Sequence, residues 1–502
     1  MPNEALRLFF KKMEAQGLML TYEDVRLRTK SSEVLPRDTK LYTRFSRRVL
    51  LNMPIVSSPM DTVTTAPMAI AMAEAGGLGV IHRNLDPEAQ AREVGRVKHR
   101  LHGRIETPIT VPAHYTVRMV LELREDRHFP FNTFPVVSAN NEIVGLLTRN
   151  DFDFCKDVEQ GVTEVMTPKE DLVTAEAKTT QQQAYDLMCR RKRKVLPLVD
   201  GGGRLQGMYL FSDLKRILAG GQMHSTDMKG QLLVAAAVGA GDMAFVRAKH
   251  LAQKHCDVFV IDTAHGDSAE VLQTIQALKQ AHPHIDVVAG NVSSGSSALR
   301  LVEAGADGIL VGQGPGSICT TRVVAGVGVP QVSAVYECVE ALQDKRVPVC
   351  ADGGINNSGD MVTALAVGAS TVMLGRLLAG TEESPGETHF YQGMQVKAYR
   401  GMGSLGAMQD SVASRARYKQ GETSLSKLVP EGVEGVVPHK GPVGAVLDQY
   451  IGGIRSGMGY LGAKTLRDLA DRAELFRISS AGLRESHPHD VTITRDAPNY
   501  RR

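Results

Sequence analysis

Short apolar runs ending in small residues or glycine recur along this chain. They read MPIVSSP at 53–59, GLGVIH at 77–82, VFVID at 258–262, VVAGN at 287–291, GILVG at 308–312, VPVCADGG at 347–354 and TVMLG at 371–375. Runs without polar alternation suit parallel strands buried on both faces. Between them the spacing becomes helical. Residues 296–304, before Gly305, and 360–367, before Gly368, read as amphipathic helices with a glycine stop. Two units even resemble each other, EAGADGILVG at 303–312 and AVGASTVMLG at 366–375. Strand–helix alternation over more than six units predicts an α/β fold, a (β/α)8 TIM barrel rather than an open sheet.

The rhythm breaks at about residues 105–219. Phe134-Pro135-Val-Val, Gly145 and Asp151 recur there as Leu196-Pro197-Leu-Val, Gly207 and Asp213, each 62 residues on. Three matches at one offset mark an internal repeat. Each copy predicts a strand pair followed by a helix led by its Asp, which we read as the N-cap. The barrel is then expected in two parts, 1–104 and 220–502, around an inserted module at 105–219. The basic run RRKRK at 190–194 reads first as a solvated edge of the second repeat, and second as a site for a nucleotide polyphosphate.

Composition narrows the class. Of 502 residues, 43% are hydrophobic and 23% charged, which excludes disorder. Lys and Arg number 58 and Asp and Glu 55, so a net charge of +3 gives no support for a nucleic-acid or membrane-surface protein. The longest apolar stretch, 232–241, falls short of the roughly 20 residues of a membrane span. The opening MPNEALRLFFKKMEAQ lacks the continuous apolar core of a secretory signal. Six cysteines, none in a C-x-x-C pair, are too few for a disulfide scaffold, and the expected location is cytoplasmic.

The chemistry gathers at predicted strand ends, the active face of such barrels. After the run at 308–311 comes GQGPGSICTTR at 312–322. Its glycines allow sharp turns and free the backbone to face a ligand. Cys319 sits in it beside Thr320, Thr321 and Arg322. A thiol near cationic charge gains thiolate character and becomes a nucleophile. The other five cysteines read as small buried hydrophobes. Asp352-Gly-Gly354 and Gly375-Arg376 end two later strands and offer an anion site.

The motifs IVSSPMDTVT (55–64), GQGPGSICTTR (312–322), ADGG (351–354), LAGTEESPG (378–386), YRGMGS (399–404) and LVPEG (428–432) occur in order. In them the chain resembles the inosine-5′-monophosphate dehydrogenase family over nearly its whole length. The inserted repeat resembles tandem CBS domains, modules that often bind purine nucleotides. The resemblance implies that Cys319 attacks C2 of inosine monophosphate, that hydride passes to NAD, and that water releases xanthosine monophosphate from the thioimidate. It gives catalytic roles to Cys319, Thr321, Arg417 and Tyr418, the last two in a mobile flap at about 409–435. It assigns the nucleotide to Ser58, Met60, Ser317, Asp352 and Glu431, and its phosphate to Gly353, Gly354, Gly375 and Arg376. The turn of Tyr399, Arg400, Gly401, Met402 and Gly403 would touch phosphate and base. Asp262, Asn291, Gly312, Gln313 and Gly314 would meet NAD. A potassium site would join carbonyls of Gly314, Gly316 and Cys319 to Glu485, Ser486 and His487 of a neighbouring subunit, in a homotetramer able to pair into an octamer.

Two rival readings differ in class. A guanosine-monophosphate reductase shares the barrel and cysteine loop but lacks the Arg-Tyr flap. A non-catalytic nucleotide sensor would place the function in the inserted repeat.

Overall fold

The computed structural model describes residues 3–100, 103–127, 129, 131–220, 224–495 and 497–500; Met1 and Pro2 of the opening stretch lie outside them. The chain divides into two compact units. One comprises Met1–Arg100, Met223–Asp227 and Leu232–Arg502, the other Leu101–Gln222 and Met228–Gln231.

The first unit is a closed parallel barrel. Its strands are β1 (Ile55–Ser57), β2 (Leu78–Ile81), β3 (Ala235–Ala237), β4 (Val258–Asp262), β5 (Asp286–Val292), β6 (Gly308–Val311), β7 (Val349–Asp352) and β8 (Thr371–Leu374). They pair in sequence order, and β8 closes on β1. Seven are the apolar runs read above. The eighth, β3, lies in the 232–241 stretch and went unrecognised, because alanine is neither β-branched nor aromatic. Packing selects it. Ala235 and Ala237 point into the barrel with Val80, Val258 and Val260, all fully buried. Every strand sends at least one side chain into this core, and the alternation along β2, β3 and β4 is the barrel's period of two. Phe45, Val49 and Leu51, from the hairpin pairing Thr43–Arg44 with Leu50–Leu51, join the same cluster. Gly308, the first residue of β6, lies against the Phe45 carbonyl, so this hairpin plugs the N-terminal end. The C-terminal strand ends are left for chemistry. The two expected helices form as Gly295–Glu303 and Ser358–Ala366, with Ser294 and Asn357 as N-caps.

The second unit holds two small sheets. In one, Val111–Pro112 lies parallel to Phe134–Val137, which pairs antiparallel with Ile143–Leu147. In the other, Ala175–Glu176 lies parallel to Val195–Val199, which pairs antiparallel with Leu205–Leu210. A register shift falls after Val136 in the first and after Leu198 in the second, again 62 residues apart. The copies join at a bridge between Glu142 and Arg204. There Ile143 N–H donates to Gly203 O and Leu205 N–H to Asn141 O. Adding 62 to one bond gives the other, the signature of a local two-fold.

The Asp-led helices need a correction. Thr148, not Asp151, is the N-cap of Arg149–Asp153, and the Asp151 carboxylate reaches back to the Thr148 N–H at 2.6 Å as the third residue of a capping box. Asp213 likewise lies inside its helix, in the first turn of Phe211–Gly220.

Candidate active site

The loop after β6 folds back on itself. Cys319 N–H donates to Gly316 O, and the thiol donates to Thr321 Oγ1 at 3.2 Å. Thr321 Oγ1 in turn donates to Glu431 Oε2 at 2.7 Å. The loop is braced from across the barrel mouth. Thr320 N–H donates to Glu431 O and Val433 N–H to Ile318 O, while Glu431 N–H donates to Gly403 O. Residues more than 100 apart in sequence thus form one woven floor around a part-exposed thiol. Arg322 does not face that thiol. It donates to the carbonyls of Gln313 and Val329 and so shapes the loop.

The remaining cysteines divide. Cys256, Cys338 and Cys350 are buried, and burial pushes all three thiols up, Cys256 to about 12. Cys155 and Cys189 correct the expectation. Cys189 is exposed because Met188 holds the buried face of Gln181–Arg191, and the next residue turns away by about 100°. Cys155 lies beyond a short helix and donates to Asp157 O.

One wall of the mouth gathers five of the anticipated residues. A β-carbon on Gly375 would stand 3.0 Å from the Tyr399 hydroxyl, 3.1 Å from Met60 Sδ and 3.9 Å from Ser58 Cβ. Ser317 hydrogen bonds the Tyr399 hydroxyl, whose pKa burial raises to about 12. Gly353 and Gly354 lie against Pro315 of the cysteine loop. Asp352, at the end of β7, is buried, and desolvation lifts its carboxyl to about 6 against a 2.7 Å hydrogen bond from Asn291 Nδ2. Asn291 Nδ2 also donates to Gly312 O, and Gln313 Nε2 to Ala264 O. Met402 is buried, and Gly401 lies against Ile318 O. Two arginines have partners of their own. Arg376 Nη2 donates to Asn356 Oδ1 at 2.9 Å. Arg400 donates through Nε and Nη2 to Asp61 and through Nη1 to Asp410.

The opposite wall is the segment 409–435. It contains the helix Val412–Arg417, a 3-10 turn at Leu425–Lys427 and the start of the strand Glu434–Pro438. Arg417 pairs with Asp262 at the end of β4, and its Nε is buried with no partner among the described residues. Tyr418 packs against the 401–403 turn so closely that a β-carbon on Gly403 would lie 2.5 Å from its ring. Burial raises the Tyr418 pKa, Arg417 opposes the shift, and the charges of Cys319 and Glu431 add to it.

Some residues of this region escaped the sequence reading. His82, Arg83 and Asn84 follow β2 at the same end of the barrel. Arg83 is buried against Gly239, and burial, with Arg417 and Arg247 nearby, lowers its pKa to about 9. Burial lowers His82 to about 4, so it is neutral, and it accepts the Asn84 N–H on Nδ1. Gln331 Nε2 bridges the carbonyls of Val311 and Asp352, tying the end of β6 to the end of β7. The only available signal was position, directly after a strand or at the head of a helix.

A cavity of about 1620 Å³ adjoins Arg376. Asn356, Arg26, Arg484, Ser486 and His487 line it, so two of the three C-terminal residues assigned to a cation lie on this cavity of their own chain. Among the described residues no helix is long and apolar enough to cross a membrane.

Comparison with known proteins bears on this geometry. Residues 19–489 match the IMP dehydrogenase / GMP reductase domain. The inosine-5′-monophosphate dehydrogenase of Aquifex aeolicus is 47% identical over 96% of this chain and 97% of its own. That of Bacillus subtilis is 46% identical over 97% of this chain and 99% of its own. Among solved structures, a GMP reductase variant of Trypanosoma brucei in complex with guanosine 5′-monophosphate superposes with a TM-score of 0.85. It is 38% identical, covering 95% of this chain and all of that one.

Proposed function

The chain belongs to the IMP dehydrogenase / GMP reductase family, and from that premise we propose that it oxidises inosine 5′-monophosphate to xanthosine 5′-monophosphate, with NAD and water, in guanine nucleotide synthesis. The observation that carries this reading is the pairing of two features across one mouth. A cysteine is linked through Thr321 to Glu431, and a flap arginine reaches Asp262.

The steps follow from these groups. Cys319 loses its proton and its sulfur adds to C2 of the hypoxanthine ring. NAD, when bound, accepts the hydride that leaves C2. The ring then remains as a thioimidate on Cys319. A water adds to C2, its proton is taken up, and the carbon–sulfur bond breaks to return the thiolate. The net change is inosine monophosphate, NAD⁺ and water to xanthosine monophosphate, NADH and a proton. Dividing one redox hydration into two steps is the benefit of covalent catalysis. Asp352 suits the ribose diol, because a carboxylate accepts two hydroxyl bonds. Ser58, Met60, Ser317, Gly375 and Tyr399 would hold the nucleotide, with Gly353, Gly354 and Arg376 at its phosphate.

Asp262 serves two partners in turn, the cofactor during oxidation and Arg417 during hydrolysis. Asn291 and residues 312–314 would hold the cofactor beside it. Arginine is an unusual base because its guanidinium stays protonated. Burial beside other cations favours the neutral form, and Arg83 and Arg247 are such neighbours. Thr321 and Glu431 give a second route for the proton. The tight turn at Gly314–Cys319 presents backbone carbonyls of the kind that suit potassium. Glu485, Ser486 and His487 of a second copy would complete that cage, consistent with a homotetramer. The inserted unit would act as a CBS pair for purine nucleotides.

Spectrophotometry tests the reading. Inosine monophosphate, NAD and potassium should yield NADH absorbance. No NADH, with NADPH consumed on adding guanosine monophosphate, would establish the reductase instead, the activity named for the superposed trypanosomal structure.

A further inference from the structure

Three polar side-chain contacts tie the flap segment 412–419 to the barrel: Arg417 with Asp262, Lys419 with Glu270, and Ser414 with Asn84. The first involves the group assigned to catalysis. The second joins two exposed charges, which contribute little. The third differs in kind. Ser414 is 1% exposed, and its hydroxyl accepts from Asn84 Nδ2 at 3.0 Å while donating to Asn84 Oδ1 at 3.1 Å. The second hydrogen of Asn84 Nδ2 goes to Asp61 Oδ2 at 3.0 Å. A carboxylate only accepts, so Asp61 fixes which way the carboxamide faces. Arg400 fixes Asp61 with two bonds and extends to Asp410, beside the N-cap of the flap helix.

We propose that Asn84 is a positioning residue, a neutral latch that holds Val412–Arg417 against the barrel and so presents Arg417 for the hydrolytic step. The proposal rests on the dehydrogenase reading above. Its chemistry suits a lid. The pair buries no net charge, so closing it demands no ion desolvation and its strength varies little with salt. Opening exchanges each bond for one to water, so the net contribution per bond is small. A lid that must open in every cycle needs such a contact. The asparagine stands one loop beyond β2, on rigid scaffold, and the serine travels with the flap.

The test uses the full-length protein with Asn84→Ala, Ser414→Ala and the double variant. Rapid-quench kinetics would follow NADH formation and decay of the Cys319 adduct separately. Hydrogen exchange would follow the amides of 412–420. We expect NADH formation to stay within about twofold and adduct decay to slow by about tenfold in each single variant, the loss of two hydrogen bonds. The double variant should be no slower than either single one, and amides 412–420 should exchange faster. Equal loss in both steps, no loss in either, or multiplying effects in the double variant would overturn the latch. A parent protein that makes no NADH would overturn the dehydrogenase reading instead, and the exchange of 412–420 would then judge the latch alone.

Discussion

In the inserted unit repetition survives down to single hydrogen bonds. In the barrel it survives only in the strands. The bonds from Ile143 to Gly203 and from Leu205 to Asn141 interconvert by a shift of 62 residues, as do the two register shifts. The barrel's most alike units, 303–312 and 366–375, instead lead to different ends. One opens into the cysteine loop and the other stops at Gly375 and Arg376. Strands repeat because packing asks the same of each. The loops diverge because a reaction needs a nucleophile, a ribose contact and a water-activating group at different points.

Five outcomes would break or sharpen this contrast. Cys319→Ala should lower turnover by about 10⁴-fold or more, while purine-nucleotide binding to the inserted unit, measured by calorimetry, stays unchanged. Arg417→Ala should slow adduct decay by roughly 10²–10³-fold, the scale of a lost proton acceptor, with NADH formation affected far less. Gly403→Ala should reduce turnover by about tenfold by driving a methyl into the Tyr418 ring, with a crystal structure showing the ring displaced.

A smaller effect belongs to the inserted unit. Gly207 has φ +145, and its β-carbon would stand 2.7 Å from Ile105 O. Gly207→Ala should destabilise that unit by about 1–3 kcal/mol by thermal unfolding, with turnover within twofold. The smallest concerns pH. Burial raises Asp352 to about 6 from an ordinary 3.8, so the folded chain binds its proton more tightly than the unfolded one. The resulting stability is fully present below about pH 4 and is lost as pH rises through about 6. The advantage of Asp352→Asn in melting temperature should therefore appear at pH 7.5 and shrink toward pH 5. If it were constant across this range, burial of Asp352 would not set its titration.

Legibility followed the range of the interaction. Seven barrel strands and both tested helices were visible because continuous apolar runs and 3.6-residue spacing are local patterns. The cysteine loop was visible because its glycines and hydroxyls are contiguous. Strand β3 was hidden because three alanines carry no local preference. Asp151 was placed near its helix start but in the wrong role, since only the fold shows which side chain caps and which reaches back. Cys189 was misjudged because a cysteine is as compatible with one helix face as another until the core is known.

The sequence by itself determined the alternation of strands and helices, the two-copy insert and the loop carrying Cys319, each encoded in consecutive residues. Tertiary structure decided that Arg417 meets Asp262, that Thr321 meets Glu431, and that Asn84 meets both Asp61 and Ser414. Pairs of polar groups separated by up to 330 residues leave no periodic trace along the chain. They exist only because barrel closure brings the ends of distant strands to one mouth, where burial makes each unpartnered donor or acceptor costly.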